Sequence, residues 1–231
     1  MHLTFASYNI HKAVGTDRVR DPDRVIRVLH EMDADVMALQ ECDRRFGHRE
    51  SVLPRFLLDE QRWETVPLKM RPQSLGWHGN AILVRRGIEI LDAQPVPLPM
   101  LEPRGAVSAL LESNGRKFRV VGMHLDLSGL RRRDQIRAVL RHLEENEKYP
   151  TVLLGDFNHW GQANGAMLEF NGDWRTLATG PSFPSRRPIA RLDRIVASPH
   201  WQIGEADAYR SALAAQASDH LPVRAALELG T

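Results

Sequence analysis

The sequence contains little cysteine, little lysine and no long apolar run. Cys42 is the single cysteine, which excludes an internal disulfide and any zinc site built from several thiolates, and we expect it to pack as a small apolar side chain. No stretch approaches the ~20 apolar residues that a membrane helix requires. Because the chain also begins without the basic and apolar segments of a secretory signal, we expect a cytoplasmic protein without integral membrane association.

The scarcity of lysine means that arginine supplies nearly all of the positive charge. Lysine accounts for only four of the 31 basic residues, and the guanidinium of arginine binds phosphate oxygens in a forked geometry. A genome that favours arginine codons explains the same bias equally well. The formal charge of +2 at pH 7 permits an anionic substrate without requiring a nucleic acid.

The length and composition indicate one globular domain over residues 1–231, for which a monomer is the default expectation. With 42% hydrophobic and 26% charged residues, the chain can bury a sizeable core. Such a composition is not that of a disordered chain.

Two segments share a strand, helix, strand pattern. The first consists of the strand LTFASYNI, the helix DPDRVIRVLHEM with Asp21 as N-cap and Pro22 in its first turn, and the strand DVMALQE. The second consists of the strand KFRVVGMHLD, the helix RRRDQIRAVLRHLEEN after the candidate cap Ser128, and the strand TVLLGDFN. Each segment predicts a parallel crossover unit.

The remaining strands are predicted as GNAILVRRGIEIL, PRGAVSALLES, RLDRIVAS and LPVRAALEL. The proline-rich DAQPVPLPMLEP is predicted as a loop, and the region after Asn158 as loop with a short helix. Together these elements predict two packed sheets with helices outside and a cleft where the strand ends converge.

Polar side chains stand at the predicted strand ends. In VLLGDFNHW, Asp156 and Asn158 follow an apolar run and would face the same way if the strand continued, although a polar turn also explains them. Comparable residues at the other strand ends are Asn9, Glu41, Asn80, His124, Asp193, Asp219 and His220. A recurring set of carboxylates, amides and histidines at strand ends is typical of a hydrolytic site.

This ordered series resembles the endonuclease/exonuclease/phosphatase (DNase I-like) superfamily, and the resemblance runs from Asn9 to His220. The superfamily includes DNase I, apurinic endonucleases, bacterial sphingomyelinases and inositol polyphosphate phosphatases. The resemblance implies a four-layer α/β sandwich, in which two packed mixed sheets are flanked by helices. It also implies hydrolysis of phosphate esters with a divalent metal ion.

The resemblance further implies a metal site with Glu41 as principal ligand and with Asn9 and Asp219 nearby. Their hard oxygen atoms suit Mg²⁺, with Mn²⁺ as a substitute, because Mg²⁺ prefers octahedral oxygen ligands and keeps several waters. The alternative for Asp219 is a turn residue before Pro222. Some relatives carry an acid at the position of His11, which would share the strand face of Asn9 if that strand continued.

The expected catalytic residues are Asp156, Asn158, His220, Asp193 and His124. Asp156 would take a proton from the attacking water, and Asn158 would orient that water or a phosphate oxygen. By resemblance, Asp193 would fix the tautomer and orientation of His220, which would stabilise charge on the phosphoryl oxygens or help proton transfer. His124 matches a second histidine of the DNase-like branch, although a histidine at a strand end is often structural.

By resemblance, Asn80 in GNAIL and Arg104 in PRGAV are expected to reach the scissile phosphate. Arg194 stands where relatives often carry an aromatic or aliphatic residue, and it is expected to add a phosphate contact. For Arg104, an ordinary surface position is almost as good an explanation. The run from Arg131 to Arg133 favours a solvated helix face. Trp77 and Trp160 flank the motif segments, where they would either line the cleft or take part in packing.

The resemblance and this set of residues together imply a divalent-metal-dependent phosphodiesterase. Because nucleases are the largest class of such relatives, the resemblance implies DNA or RNA as the first expected substrate. A phospholipid or sphingomyelin-type phosphodiesterase and a small phosphomonoesterase remain alternatives, and the rim loops 44–76 and 159–190 would decide among them. A non-catalytic binding module of the same fold is disfavoured, because Glu41, Asp156, Asn158, Asp193 and His220 are all present.

Overall fold

The structure, a computed structural model, describes residues 1–44, 50–54, 62–68, 73–99, 104–161 and 164–230. Parts of the two rim loops and the end of DAQPVPLPMLEP therefore lie outside the described residues. Within them, twelve strands form two six-stranded sheets. The strands are β1 (His2–Asn9), β2 (Val36–Gln40), β3 (Trp63–Thr65), β4 (Ala81–Arg85), β5 (Glu89–Val96), β6 (Gly105–Ser113), β7 (Arg116–His124), β8 (Thr151–Asp156), β9 (Arg175–Thr176), β10 (Asp193–Ala197), β11 (Trp201–Ala208) and β12 (Val223–Leu229).

The first sheet has the strand order β11-β12-β1-β2-β4-β3, and within it β1 and β2 are parallel. Helix α1 (Pro22–Met32) connects these two strands, which confirms the first predicted crossover. Asp21 caps the helix by accepting a hydrogen bond from the backbone nitrogen of Arg24 at 2.9 Å, as the sequence predicts. Asp33, in the left-handed conformation, ends it.

The second sheet has the order β5-β6-β7-β8-β10-β9, and within it β7 and β8 are parallel. Helix α2 (Gly129–Glu145) connects them, which confirms the second predicted crossover. Ser128 occupies the N-cap position, but its side chain makes no capping hydrogen bond. Instead, the backbone nitrogen of Ser128 donates to Asp126 Oδ1 at 2.8 Å.

Of the four edge strands, β3 and β9 are absent from the sequence prediction, and β5 and β11 also differ from it. The segment DAQPV belongs to β5 rather than to a loop, because β5 lies at the sheet edge, where a proline removes no essential ladder hydrogen bond. Strand β11 was not predicted, because four exposed residues in its middle give it a polar composition. Both errors reflect the weak apolar pattern of edge strands.

Three apolar layers hold the fold together and confirm the predicted four-layer sandwich. The inner faces of the two sheets pack against each other through residues such as Phe5, Phe118 and Trp201. On the outer face of the first sheet, α1 and the short helix α3 (Ala212–Ala217) bury a second core. On the outer face of the second sheet, α2 and a 3-10 turn at Gly165–Glu169 bury a third.

None of the helices in the described ranges combines the length and the apolar character that crossing a membrane requires.

Candidate active site

Strand alternation brings several of the predicted residues to one edge of the space between the sheets. Val152 and Leu154 belong to the inner core, so Asp156, two residues further along β8, points the same way. His124 and Asp193 are the register partners of Asp156 on the two neighbouring strands. The same alternation along β1, from Leu3 and Phe5 in the inner core, directs Asn9 toward this edge from the opposite sheet.

Asp156 is the centre of this cluster and is only 1% exposed. Its Oδ2 accepts a hydrogen bond from Asn9 Nδ2 at 3.0 Å and lies 3.4 Å from His124 Nε2. Its Oδ1 accepts from the backbone nitrogen of Asn158 at 2.8 Å. His220 Nε2 lies 3.9 Å from Oδ2. A buried carboxylate is thus surrounded by one amide and two imidazoles.

Asp193 holds His220 through the Nδ1 side of its ring. The His220 Nδ1–H group donates to Asp193 Oδ2 at 2.8 Å, and the hydroxyl of Ser182 donates to the same oxygen at 2.5 Å. This pair leaves His220 Nε2 directed toward Asp156. The sequence analysis missed Ser182, because it lies in the proline-rich segment GPSFPS, which carries only turn signals.

Burial and charge shift the titration of these groups in different directions. Burial alone would raise the pKa of Asp156, but the contact with His124 and the charge of His220 outweigh it and hold the pKa well below its ordinary value. For Asp193, burial dominates over the attraction of His220 and raises the pKa. Burial would lower the pKa of His220, but Asp193, Asp156 and Asp219 together raise it to about 10. Asp156 is therefore an anion and His220 a cation at neutral pH.

Strand β8 ends at Asp156 and Asn158 has a left-handed backbone conformation, so the expected extended geometry does not continue beyond Asp156. Asn158 has a φ of 49°, and its side-chain amide donates to the carbonyl oxygen of Leu125 at 2.9 Å. Both Asp156 and Asn158 remain buried at the same edge, but a left-handed turn, rather than strand alternation, brings them together.

Glu41 follows β2 in a similar turn, with a φ of 58°. Its carboxylate contacts the ammonium group of Lys12, a residue that the sequence analysis did not select. Burial would raise the pKa of Glu41, but His124 and Lys12 outweigh it and lower the pKa. The carboxylate is therefore ionised and already pairs with a cation.

His11 does not share the strand face of Asn9, because β1 ends at Asn9 and His11 has a φ of 46°. Instead, the backbone nitrogen of His11 donates to Asn9 Oδ1 at 3.1 Å. The His11 ring lies 3.7 Å from Asp219 Oδ1, measured from Nδ1. The side chain of Asp219 is 39% exposed, so it lies at the mouth of the site rather than inside it.

Two of the three expected phosphate ligands lie at this edge. Arg104 contacts the ring of His124. Asn80 precedes β4, and its amide nitrogen donates to the carbonyl oxygens of Trp77 and His78. Its Oδ1 is buried and accepts no hydrogen bond from the residues that the structure describes.

Arg194 is the expected phosphate ligand that the structure does not bring to the cluster. It follows Asp193 directly on β10, so it points to the outer face of the sheet, where Val196 packs beside α2. Its guanidinium donates to the backbone carbonyl oxygens of His159 and Gly161. The guanidinium of Arg194 therefore lies on the face of the sheet opposite to the cluster and is engaged by backbone carbonyl oxygens.

The donor set at this edge suits a divalent cation. Asp156, Asp193 and His220 form a group, found among the described residues, whose ligand atoms lie within 4.8 Å of one another. While His220 is protonated, only the two carboxylates of this group can bind a metal ion. Asp193 Oδ1 is buried and has no hydrogen-bond partner among those residues. The carboxylate of Glu41, which pairs with Lys12, is a second position that accepts positive charge. Hard oxygen donors of this kind fit Mg²⁺ or Mn²⁺ better than a soft metal.

A model of the Endonuclease/Exonuclease/phosphatase family matches residues 6–220 of this sequence. The chain belongs to this family. The resemblance drawn from the strand-end residues is thereby confirmed. Members of the family are phosphoesterase hydrolases that generally depend on a divalent metal.

The relatives of this family member include a curated protein and solved structures. The uncharacterized protein YbhP of Escherichia coli K12 is 30% identical over 129 residues, which cover 52% of this chain and 51% of YbhP. The chain thus matches about half the length of that curated relative.

The endonuclease/exonuclease/phosphatase structure from Bacteroides vulgatus is 18% identical to this chain, with 100% of both chains covered and a TM-score of 0.77. D. rerio TDP2 in complex with a single-strand DNA product is 16% identical, with 98% of this chain and 99% of that chain covered and a TM-score of 0.74. At these identities, the two structures establish the shared fold.

Proposed function

We propose that this protein is a divalent-metal-dependent phosphodiesterase and that nucleic acid is its substrate class. The observation that carries the proposal is the buried Asp156 carboxylate, set between His124 and His220 at the edge where the strand ends meet. An ionised base beside a protonated imidazole is the arrangement that attack of water on a phosphate ester requires.

Asp156 would accept the proton of the attacking water, because the two histidines keep it ionised. His220, protonated and held by Asp193, would donate to a phosphoryl oxygen and stabilise its growing negative charge. His124 and Arg104, which are in contact, would bind another oxygen of the same phosphate. Asn158 would position the water or a phosphate oxygen with the part of its amide that Leu125 does not engage.

The metal ion of this proposal is Mg²⁺, with Mn²⁺ as a substitute. Glu41 and Asn9 would hold it, with Asp219 at the mouth of the site. When bound, such an ion polarises a phosphoryl oxygen and neutralises charge on the leaving group. The Lys12 contact supports this assignment only in showing that the Glu41 carboxylate attracts a positive charge, with which the metal ion would compete.

A comparison with a solved structure supports nucleic acid as the substrate class, and the arginine-rich composition of the chain is compatible with it. TDP2 of the same fold holds a single-strand DNA product. The competing hypothesis is that the substrate is a phosphomonoester, and the experiment below distinguishes the two.

The test is hydrolysis of bis-p-nitrophenyl phosphate and p-nitrophenyl phosphate with Mg²⁺, Mn²⁺ or EDTA. The wild type is expected to cleave the diester in an EDTA-sensitive reaction, and Asp156→Asn to lose roughly 10²- to 10⁴-fold in kcat. Asp134→Asn, an exposed carboxylate on α2, is the matched control and should retain activity.

Single-stranded DNA and RNA oligonucleotides form the second arm of this test. Their cleavage by the wild type, absent in Asp156→Asn, would support the substrate class. Cleavage of the monoester alone would replace the phosphodiesterase by a phosphatase. Wild-type activity on none of these substrates would contradict the proposal.

A further inference from the structure

Trp160 is a solvent-exposed aromatic side chain close to the proposed catalytic residues. It lies two residues beyond Asn158 and is 64% exposed, whereas Trp63 and Trp201 are buried in the cores. Trp77 and Trp174 are partly buried, so Trp160 is the one exposed tryptophan of the chain, and all five lie in the described ranges. Scattered exposed apolar residues are ordinary, so exposure alone assigns nothing to it.

The backbone that carries Trp160 is fixed by buried contacts on both sides. Arg194, only 5% exposed, donates to the carbonyl oxygens of His159 and Gly161, which flank Trp160 in sequence. The ring of His159 is also buried, and its Nε2 lies 2.9 Å from Asn164 Oδ1. An exposed indole is thus presented on a segment that buried polar groups hold in place.

A row of rings connects Trp160 to the proposed catalytic histidine. The indole meets the ring of Phe183 edge to face, with centroids 6.2 Å apart and planes at 81°. The ring of Phe183 lies 4.9 Å from that of His220. Phe183 is itself fixed, because its carbonyl oxygen accepts hydrogen bonds from the backbone nitrogens of Ile189 and Ala190 at 2.9 and 2.8 Å.

We propose that Trp160 is a binding surface for a planar group of the substrate next to the scissile phosphate, such as a nucleobase. A phosphate bound at His220 would place its neighbouring substituent along the Phe183 and Trp160 rings. An aromatic side chain binds any base through its π-face, which suits a substrate whose bases vary. The inference rests on the proposed function and narrows it to substrates that carry a flat ring.

The first test measures binding without catalysis, with EDTA present. Adenosine 5′-monophosphate is expected to quench tryptophan emission and to bind about tenfold more tightly than ribose 5-phosphate, which lacks the base. Trp160→Phe should abolish the quenching but keep the affinity difference, measured by calorimetry, because it retains a flat ring. Trp160→Ala should abolish both. Ile203→Ala, a partly exposed residue on β11, is the control and should change neither.

The second test measures inhibition of bis-p-nitrophenyl phosphate hydrolysis by the same two compounds. The inhibition constant for adenosine 5′-monophosphate is expected to rise about tenfold in Trp160→Ala and to stay unchanged in Trp160→Phe. The inhibition constant for ribose 5-phosphate should be the same in all variants.

Several outcomes would overturn the inference. Equal affinity of the wild type for the two compounds would remove the preference for a flat ring. Octyl phosphate binding as tightly as adenosine 5′-monophosphate, with the same dependence on Trp160, would indicate an aliphatic rather than a planar group. An enzyme that hydrolyses the diester but shows no effect of Trp160→Ala would contradict this inference alone, whereas absence of hydrolysis would contradict the proposed function.

Discussion

The ammonium group of Lys12 lies against the carboxylate of Glu41, directly beyond the end of β2. Lys12 reaches this carboxylate from a turn in which His11, Lys12 and Ala13 all have positive φ, at 46°, 55° and 58°. The left-handed conformation costs roughly 1–2 kcal/mol for each non-glycine residue. Three such residues in succession mark a segment whose shape is maintained by its surroundings rather than by local preference.

Replacing Lys12 with methionine is expected to strengthen the binding of Mn²⁺ roughly tenfold, because the ion would no longer compete with a positive charge at Glu41. Titration of the protein with Mn²⁺, followed by electron paramagnetic resonance, measures this affinity without any substrate. Lys12→Arg keeps the charge and should bind Mn²⁺ as the wild type does. Unchanged affinity in Lys12→Met would show that Lys12 does not compete with the ion.

Asp193→Asn is expected to lower kcat for the diester roughly 10²-fold, with little change in KM, because the uncharged amide no longer orients and stabilises the His220 imidazolium. Steady-state kinetics of Asp193→Asn, His220→Asn and the double variant measure this effect. Since the two residues act as one unit, the double variant should be no slower than the worse single variant by more than about threefold. If the kcat losses of the two single variants multiplied in the double variant, Asp193 and His220 would act independently, which would contradict this prediction.

Strand alternation accounts for the part of the site that could be predicted from the sequence. Asn9, His124, Asp156 and Asp193 lie at the ends of buried strands, and their position in each strand determines which face they share. The same rule argues against Arg194 as a phosphate ligand, because adjacent residues of a strand point to opposite faces. The alternation of β10 is enough to place Arg194 on the face opposite to Asp193.

Other features of the site depend on contacts between distant segments. The left-handed conformations at Asn158 and Glu41 occur at non-glycine residues, so the sequence does not signal them. Asn158 is held by its hydrogen bond to Leu125, and Glu41 by its contact with Lys12. Ser182 meets Asp193 across a loop that shows only turn signals in the sequence. The row from His220 through Phe183 to Trp160 joins three separate segments, so no local pattern predicts it.

Asp21→Ala is expected to lower the free energy of unfolding by about 1 kcal/mol at pH 7, because α1 loses its N-cap. The hydrogen bond from the Arg24 backbone, and then the Arg24 guanidinium, lower the pKa of Asp21. A carboxyl group whose pKa is lowered in the folded state stabilises the protein at pH values above its pKa in the unfolded chain, which is near 3.9. That stabilisation is lost as the pH falls through the lowered pKa of the folded state. Urea unfolding at pH 7 and at successively lower pH measures both effects.

Asp21→Asn is the matched control for this prediction, because asparagine is also a good N-cap but carries no charge. It should be more stable than Asp21→Ala at pH 7, and its difference from the wild type should shrink as the pH falls below about 4. If the difference in unfolding free energy between Asp21→Asn and the wild type grew as the pH fell, the pH dependence of the Asp21 contribution to stability would have the opposite sign.

Phe118→Ala is expected to be far more destabilising, at about 3–5 kcal/mol, because its ring fills the core between the two sheets. The Phe118 ring lies 6.1 Å from Phe5 and 5.8 Å from Trp201, centroid to centroid, and all three side chains are fully buried. Phe5 and Trp201 belong to the first sheet and Phe118 to the second. The cavity left by Phe118→Ala would therefore lie at the contact between the two sheets. Phe118→Leu retains part of the volume and should lose less, whereas Leu168→Ala, an exposed residue, should change urea unfolding by no more than about 0.5 kcal/mol. A loss below about 1 kcal/mol in Phe118→Ala would mean that the sheets close over the cavity, and that this aromatic cluster does not determine their packing.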